Sequence, residues 1–84
     1  MRLLQDERDT NNFKAAVKAC KKDVYVRHNT KRENYNVKSF FGYHFAIAKL
    51  MSKHGDEYEI FCNEPNDEGI MMDFFHKLRE NHEN

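Results

Sequence analysis

The chain has 84 residues, 33% of them charged, with a formal net charge of zero, seven Phe, four Tyr and no Trp. That length accommodates one hydrophobic core and excludes two. An apolar share of 39% is too large for a disordered chain, and no apolar run approaches the roughly 20 residues a membrane span needs.

The zero net charge hides a division. Residues 1–54 carry twelve Lys/Arg against five Asp/Glu, and residues 55–84 carry two against nine. This asymmetry predicts either an electrostatically specialised surface or two halves that lie side by side and neutralise each other. Met1-Arg2-Leu3-Leu4 is followed by Gln-Asp-Glu-Arg and no apolar run, so no secretory leader is predicted. The two cysteines are accordingly expected as reduced thiols in a cytoplasmic protein.

Residues 1–8 read as a frayed arm or a short turn packed on the domain. Asp9, Thr10, Asn11 and Asn12 form a cluster of helix-capping residues. Phe13, Ala16, Val17 and Cys20 then recur at i, i+3, i+4, i+7 and predict an amphipathic helix of about three turns. Lys18, Lys21 and Lys22 suit the negative end of its dipole. Asp23–His28 is β-branched and aromatic, a strand with Val24 and Val26 inward and Tyr25 and Arg27 outward. Asn29–Asn34 is the polar loop of a hairpin.

Within the stretch Tyr35 to Met51, six of the seven odd positions from 35 to 47 (Tyr35, Val37, Phe41, Tyr43, Phe45 and Ile47, with Ser39 the exception) are apolar or aromatic, and the even ones from 36 to 48 are polar or small apart from Phe40. This alternation predicts a long half-buried strand bent at Gly42. A rival helix over 43–54 rests on Ala46, Ala48, Leu50 and Met51, with Gly55 closing it. In the strand reading Ser52–Asp56 is a hairpin loop and Gly55 supplies a positive φ. Glu57–Asn63 predicts a further strand with Tyr58, Ile60 and Cys62 on one face and Glu57, Glu59 and Phe61 on the other. Pro65–Glu68 starts a last helix with Asn66 as its cap. Ile70, Met71, Phe74, Phe75 and Leu78 form its apolar stripe, His76, Lys77 and Arg79 close it, and residues 81–84 are expected to fray.

The sum is one α+β domain over 1–84: a helix, a three-stranded antiparallel sheet and a helix (αβββα), with an extra helix at 43–54 as the alternative to the second half of the long strand. This order resembles that of double-stranded-RNA-binding domains, although here the last helix begins with acids and not with a basic cluster.

Three surfaces are candidates for function. Lys14, Lys18, Lys21, Lys22, Arg27, Lys31, Arg32 and Lys38 predict a basic band suited to a phosphate backbone, or an ordinary solvated face. Tyr25, Phe40 and Phe61 are expected on the outer sheet face with Arg27, Lys38 and His44 among them, a set that suits a protein partner, a homodimer contact or stacked bases. Asp56, Glu57, Glu59, Glu64, Asp67 and Glu68 predict an acidic patch, or a solvated edge that balances the basic half. The cysteines and histidines show no zinc-ligand spacing, and no phosphate loop or catalytic signature is present, so no metal, cofactor or catalytic residue is expected. The reading is a non-enzymatic accessory or inhibitor protein of phage or mobile-element type that engages a protein partner through the aromatic sheet face. The alternative is a nucleic-acid binder using the basic band, and the third reading is a small enzyme without a sequence signature.

Overall fold

The computed structural model describes residues 1–83 and places the elements in the order α1 (Glu7–Ala19), β1 (Val24–His28), β2 (Asn34–Asn36), α2 (Phe40–Met51), β3 (Tyr58–Cys62) and α3 (Pro65–His82). The α+β class and the three-stranded antiparallel sheet are as expected. The order is αββαβα, which departs from the αβββα plan because a helix stands between the second and third strands.

Helix α1 begins earlier than the Asp9–Asn12 cluster suggests. Asp6 is the N-cap, its Oδ1 accepting from the Asp9 amide at 2.9 Å. Asp9 itself is fully buried. Phe13, Ala16 and Val17 face the core at the expected spacing.

The sheet order is β2-β1-β3, both pairings antiparallel. Val24 and Val26 are fully buried, and Tyr25 and Arg27 face outward as the alternation requires. Tyr25 lies opposite Phe61 and Arg27 opposite Glu59, so these four share the outer face.

The long strand does not form. Strand β2 stops at Asn36, and Ser39 caps α2, its Oγ accepting from the Gly42 amide at 3.1 Å. The rival helix is therefore realised, starting three residues earlier at Phe40 and ending at Met51. Ala46 and Leu50 are fully buried, with Tyr43 and Ile47 packed beside them, a spacing of i, i+3, i+4, i+7. The alternation that mimicked a strand arises because Phe41 and Phe45 lie on the other face of the helix, in solvent.

Both glycines that the strand reading used have a different role. An added Cβ at Gly42 would lie 2.0 Å from the Asn36 carbonyl oxygen, so this glycine lets the first turn of α2 rest on β2. Gly55 opens a 3₁₀ turn over Gly55–Glu57 and does not have a positive φ. It is buried where a Cβ would meet the Leu50 carbonyl oxygen at 2.3 Å and the Leu3 amide nitrogen at 2.8 Å.

The N-terminal segment is docked. The Leu3 and Leu4 amides both donate to the Leu50 carbonyl, at 3.0 and 3.1 Å, and Leu4 is fully buried. At the other end, Glu64 and not Asn66 caps α3, accepting from the Asp67 amide at 3.1 Å with Pro65 in the first turn. Met71 and Phe74 are buried, with Ile70, Phe75 and Leu78 packed around them. The helix continues through Asn81 and His82, and Asn84 lies outside the described residues. Among the described residues, no helix is long and apolar enough to cross a membrane.

Candidate docking site

Helix α2 is apolar on both faces, and just one of them is covered. Phe40, Phe41 and Phe45 are 71%, 72% and 56% exposed, a concentration that a small domain seldom leaves to water without a use. The rings are organised among themselves. Phe40 meets Phe41 and His44 edge-on, with centroids 5.4 and 4.5 Å away, and Tyr35 of β2 stacks on Phe45 at 6.1 Å. The i, i+4 pairs Phe40/His44 and Phe41/Phe45 follow from the helical repeat.

Beside this face a groove of about 500 Å³ runs between α1 and the start of α2. Val17, Val37 and Tyr43 supply its apolar surface, Phe40 stands at its side, and Lys14, Lys18 and Lys38 also line it. Lys14 and Lys18 are exposed one turn apart on α1. The Lys38 ammonium donates to the Cys20 carbonyl, which ties the segment before α2 to the end of α1. The result is an apolar cleft bordered by cations and continuous with exposed aromatic rings through Phe40.

The expected outer-sheet cluster divides in two. Tyr25 and Phe61 are on that face, but Phe40 and His44 are on α2, since the strand that would have carried them is absent. Arg27 lies over the Phe61 ring at 4.5 Å and 3.8 Å from Glu59, so its charge has partners within the chain, while Phe61 stays 41% exposed.

The basic band is likewise dispersed. Lys14, Lys18 and Lys38 share the groove, and Lys21 and Lys22 follow the end of α1. Arg27 is on the outer sheet face, Lys31 lines a separate polar cleft, and Arg32 is exposed in the hairpin loop.

Most of the acidic set has intramolecular partners. Asp56 pairs with the amino terminus at 3.0 Å, Glu57 with His28 and His54, and Glu59 with Arg27. Glu64 caps α3, and Glu68 is exposed. Asp67 is 1% exposed and accepts from the Lys21 and Lys22 amides at 2.9 and 2.8 Å, closing the end of α1. Burial pushes its carboxyl upward, but those two amides together with the charges of Lys38 and Lys21 outweigh that and hold it below the usual range.

The second constellation lies in a polar cleft, also of about 500 Å³, between the hairpin, the end of α2 and the 3₁₀ turn. His28 Nδ1 accepts from the Thr30 and Lys31 amides at 3.1 and 3.0 Å, which assigns the ring proton to Nε2, donating to Glu57 Oε1 at 3.0 Å. Glu57 Oε2 lies 2.8 Å from His54 Nδ1. Hydrogen bonds from His28 and then His54 hold the Glu57 carboxyl below its ordinary range. Glu33 accepts from the hydroxyls of Tyr58 and Tyr35 at 2.9 and 3.0 Å and pairs with Lys49 at 3.5 Å. Burial and the Glu33 carboxylate push the Tyr58 hydroxyl up to about 12.

A carboxylate on the Nδ1 side of a histidine is the base-and-orienter half of a catalytic triad. Among the described residues no hydroxyl or thiol is bonded to the other nitrogen of His54. Ser52 Oγ donates to the Lys49 carbonyl at 2.7 Å, and both thiols are buried elsewhere, with burial and the neighbouring Cys20 pushing Cys62 up to about 11. Sequence reasoning did not assemble this cleft. Its one local signal is the i, i+3 spacing of His54 and Glu57. No protein-family model matches this chain, nor does any curated protein or solved structure at a significant level.

Proposed function

We propose that this chain is a non-enzymatic binding protein that takes an acidic, amphipathic segment of a partner protein on the exposed face of α2 and the lysine-bordered groove beside it. The observation that carries this reading is the exposure of Phe40, Phe41 and Phe45 along one helix face, next to a groove lined by Lys14, Lys18 and Lys38. Aromatic anchors surrounded by a polar rim are the usual anatomy of a protein interface, and the lysines steer a partner of opposite charge. A second copy of the chain is a poorer occupant, because a two-fold contact through this face would bring lysines against lysines. The two free cysteines fit a reducing compartment such as the cytoplasm.

Nucleic acid is the competing ligand, and Phe40 beside three lysines is the feature that favours it. Fluorescence anisotropy with labelled single- and double-stranded DNA and RNA separates the two. A continuous phosphate track of six to ten contacts loses roughly 10³–10⁵ in affinity between about 50 and 200 mM salt. The dispersal of the basic residues leads us to expect no such binding, and tight, steeply salt-dependent binding would overturn the protein reading.

The direct test places a photo-crosslinking amino acid at position 41 of the full chain in its host. The captured protein is identified and its affinity for the purified chain is measured. Phe41→Ala with Phe45→Ala should weaken binding by about 10-fold or more, as loss of interface anchors does. The thermal midpoint should barely move, since these side chains are mostly solvated. Charge reversal at Lys14 and Lys18 should slow association. Equal affinity of the double variant refutes the site.

A further inference from the structure

Where the start of α1 meets the end of α3, the structure leaves one buried group unsatisfied. Asp9 is fully buried, and its Oδ1 is the one buried side-chain polar atom without a hydrogen-bond partner among the described residues. Its Oδ2 accepts from the Gln5 amide at 2.8 Å and lies 2.6 Å from His82 Nε2. A buried carboxylate oxygen without a donor is costly. A bound cation would remove that cost, because a metal ion accepts the lone pair directly and completes its own shell with water.

The surroundings supply further ligands. Asp6 stands one turn before Asp9 on the same side of α1, and each of Asp6, Asp9 and His82 offers one donor atom within 4.8 Å of the other two. Asp6 Oδ1 is engaged in capping, so its second oxygen is available. The His82 ring is 26% exposed, which leaves an approach from solvent.

We propose that Asp6, Asp9 and His82 form a site for one divalent transition-metal ion of the Zn²⁺ type that clamps the first turn of α1 to the last turn of α3. Two carboxylates and an imidazole suit Zn²⁺ better than Mg²⁺ or Ca²⁺, which favour all-oxygen shells. Bonds of about 2.0–2.2 Å require donor atoms about 3–3.5 Å apart. The ion therefore draws in the wider pairs and replaces the hydrogen bond between His82 and Asp9, with the partly exposed His82 ring moving outward. Local spacing could not reveal this site, since 73 residues separate His82 from Asp9.

The test is calorimetric titration of ZnCl₂ into the full chain after chelator treatment, with Co²⁺ absorption as a second readout of the ligand shell. The expected result is saturable binding of one ion per chain and a thermal midpoint that rises with Zn²⁺ and not with Mg²⁺. Asp6→Asn and His82→Gln, both at positions open to solvent and checked for fold by circular dichroism, should each weaken Zn²⁺ binding by about 10–100-fold or more. His76→Gln, on the exposed side of the same helix, should leave it unchanged. No binding at about 1 mM Zn²⁺, or equal binding by the Asp6→Asn and His82→Gln variants, overturns the proposal.

Discussion

The same substitution, Gly→Ala inside a helix, should have opposite effects at two positions of this chain. At Gly69, in α3, an added Cβ meets nothing within 4 Å. Alanine there should stabilise the fold by about 0.5–1 kcal/mol through helix propensity and a less flexible unfolded chain. At Gly42 the same gain is available, but the Cβ would lie 2.0 Å from the Asn36 carbonyl oxygen and 2.6 Å from Ser39 Oγ. The closest neighbour is the backbone of β2, which cannot rotate away. The first turn of α2 must lift by more than an ångström, on the order of a full overpacking defect of about 1–3 kcal/mol. Lifting it also strains the Ser39 cap at 3.1 Å, whose loss costs about 1 kcal/mol. Set against a propensity gain of about 1 kcal/mol, the net expectation is a loss of about 1–3 kcal/mol. Urea unfolding followed by circular dichroism measures both variants against the parent. For a domain of this size each kcal/mol moves the thermal midpoint by roughly 4–8 °C, so the two should differ plainly. A Gly42→Ala variant as stable as the parent would refute the close approach of α2 to β2, and with it the placement of Phe41 and Phe45.

Two further expectations concern titratable groups. The Asp67 carboxyl is held below its ordinary range in the folded chain, so its stabilising contribution is present above the unfolded pKa and is lost as pH falls through the folded value. Urea midpoints at about pH 7, 5 and 3 should therefore show a steeper acid loss for the parent than for Asp67→Asn, and equal slopes would contradict the role of Asp67 at the end of α1. The Cys62 thiol, pushed up to about 11 by burial, should react with a disulfide reagent at mildly alkaline pH far more slowly in the folded chain than in denaturant. Rapid labelling of the native protein would show that β3 and α3 open readily.

The patterns that sequence reading recovered are those whose physical cause is local. A buried stripe at i, i+3, i+4, i+7 announced α1, and a β-branched run announced β1. The parity of Tyr58, Ile60 and Cys62 gave the face of β3. Caps were less legible, because Asp6 and Glu64 compete with neighbouring capping residues, and the selection depends on where the helix axis must point to bury Phe13 or Phe74. The same holds for Asp67, which reads as a first-turn acid of α3 and turns out to close the end of α1.

By itself the sequence determined an α+β domain with an amphipathic helix at each end and an antiparallel sheet between them. It also determined an unusual concentration of aromatics over residues 35–45. Whether those aromatics belonged to a strand or a helix was decided by tertiary structure. Burying Tyr43, Ala46, Ile47 and Leu50 requires the helical repeat, and Gly42 and Gly55 permit the close backbone approaches that hold that helix in place. Phe41 and Phe45, which completed the strand-like alternation, are rings the core does not use. A period-2 pattern counts apolar residues without knowing which face is covered, and a solvent-facing Phe looks the same in sequence as a buried one. The grooves, the His28–Glu57–His54 chain and the Asp6–Asp9–His82 cluster depend on segments far apart in the chain meeting in space, and no local pattern encodes that meeting.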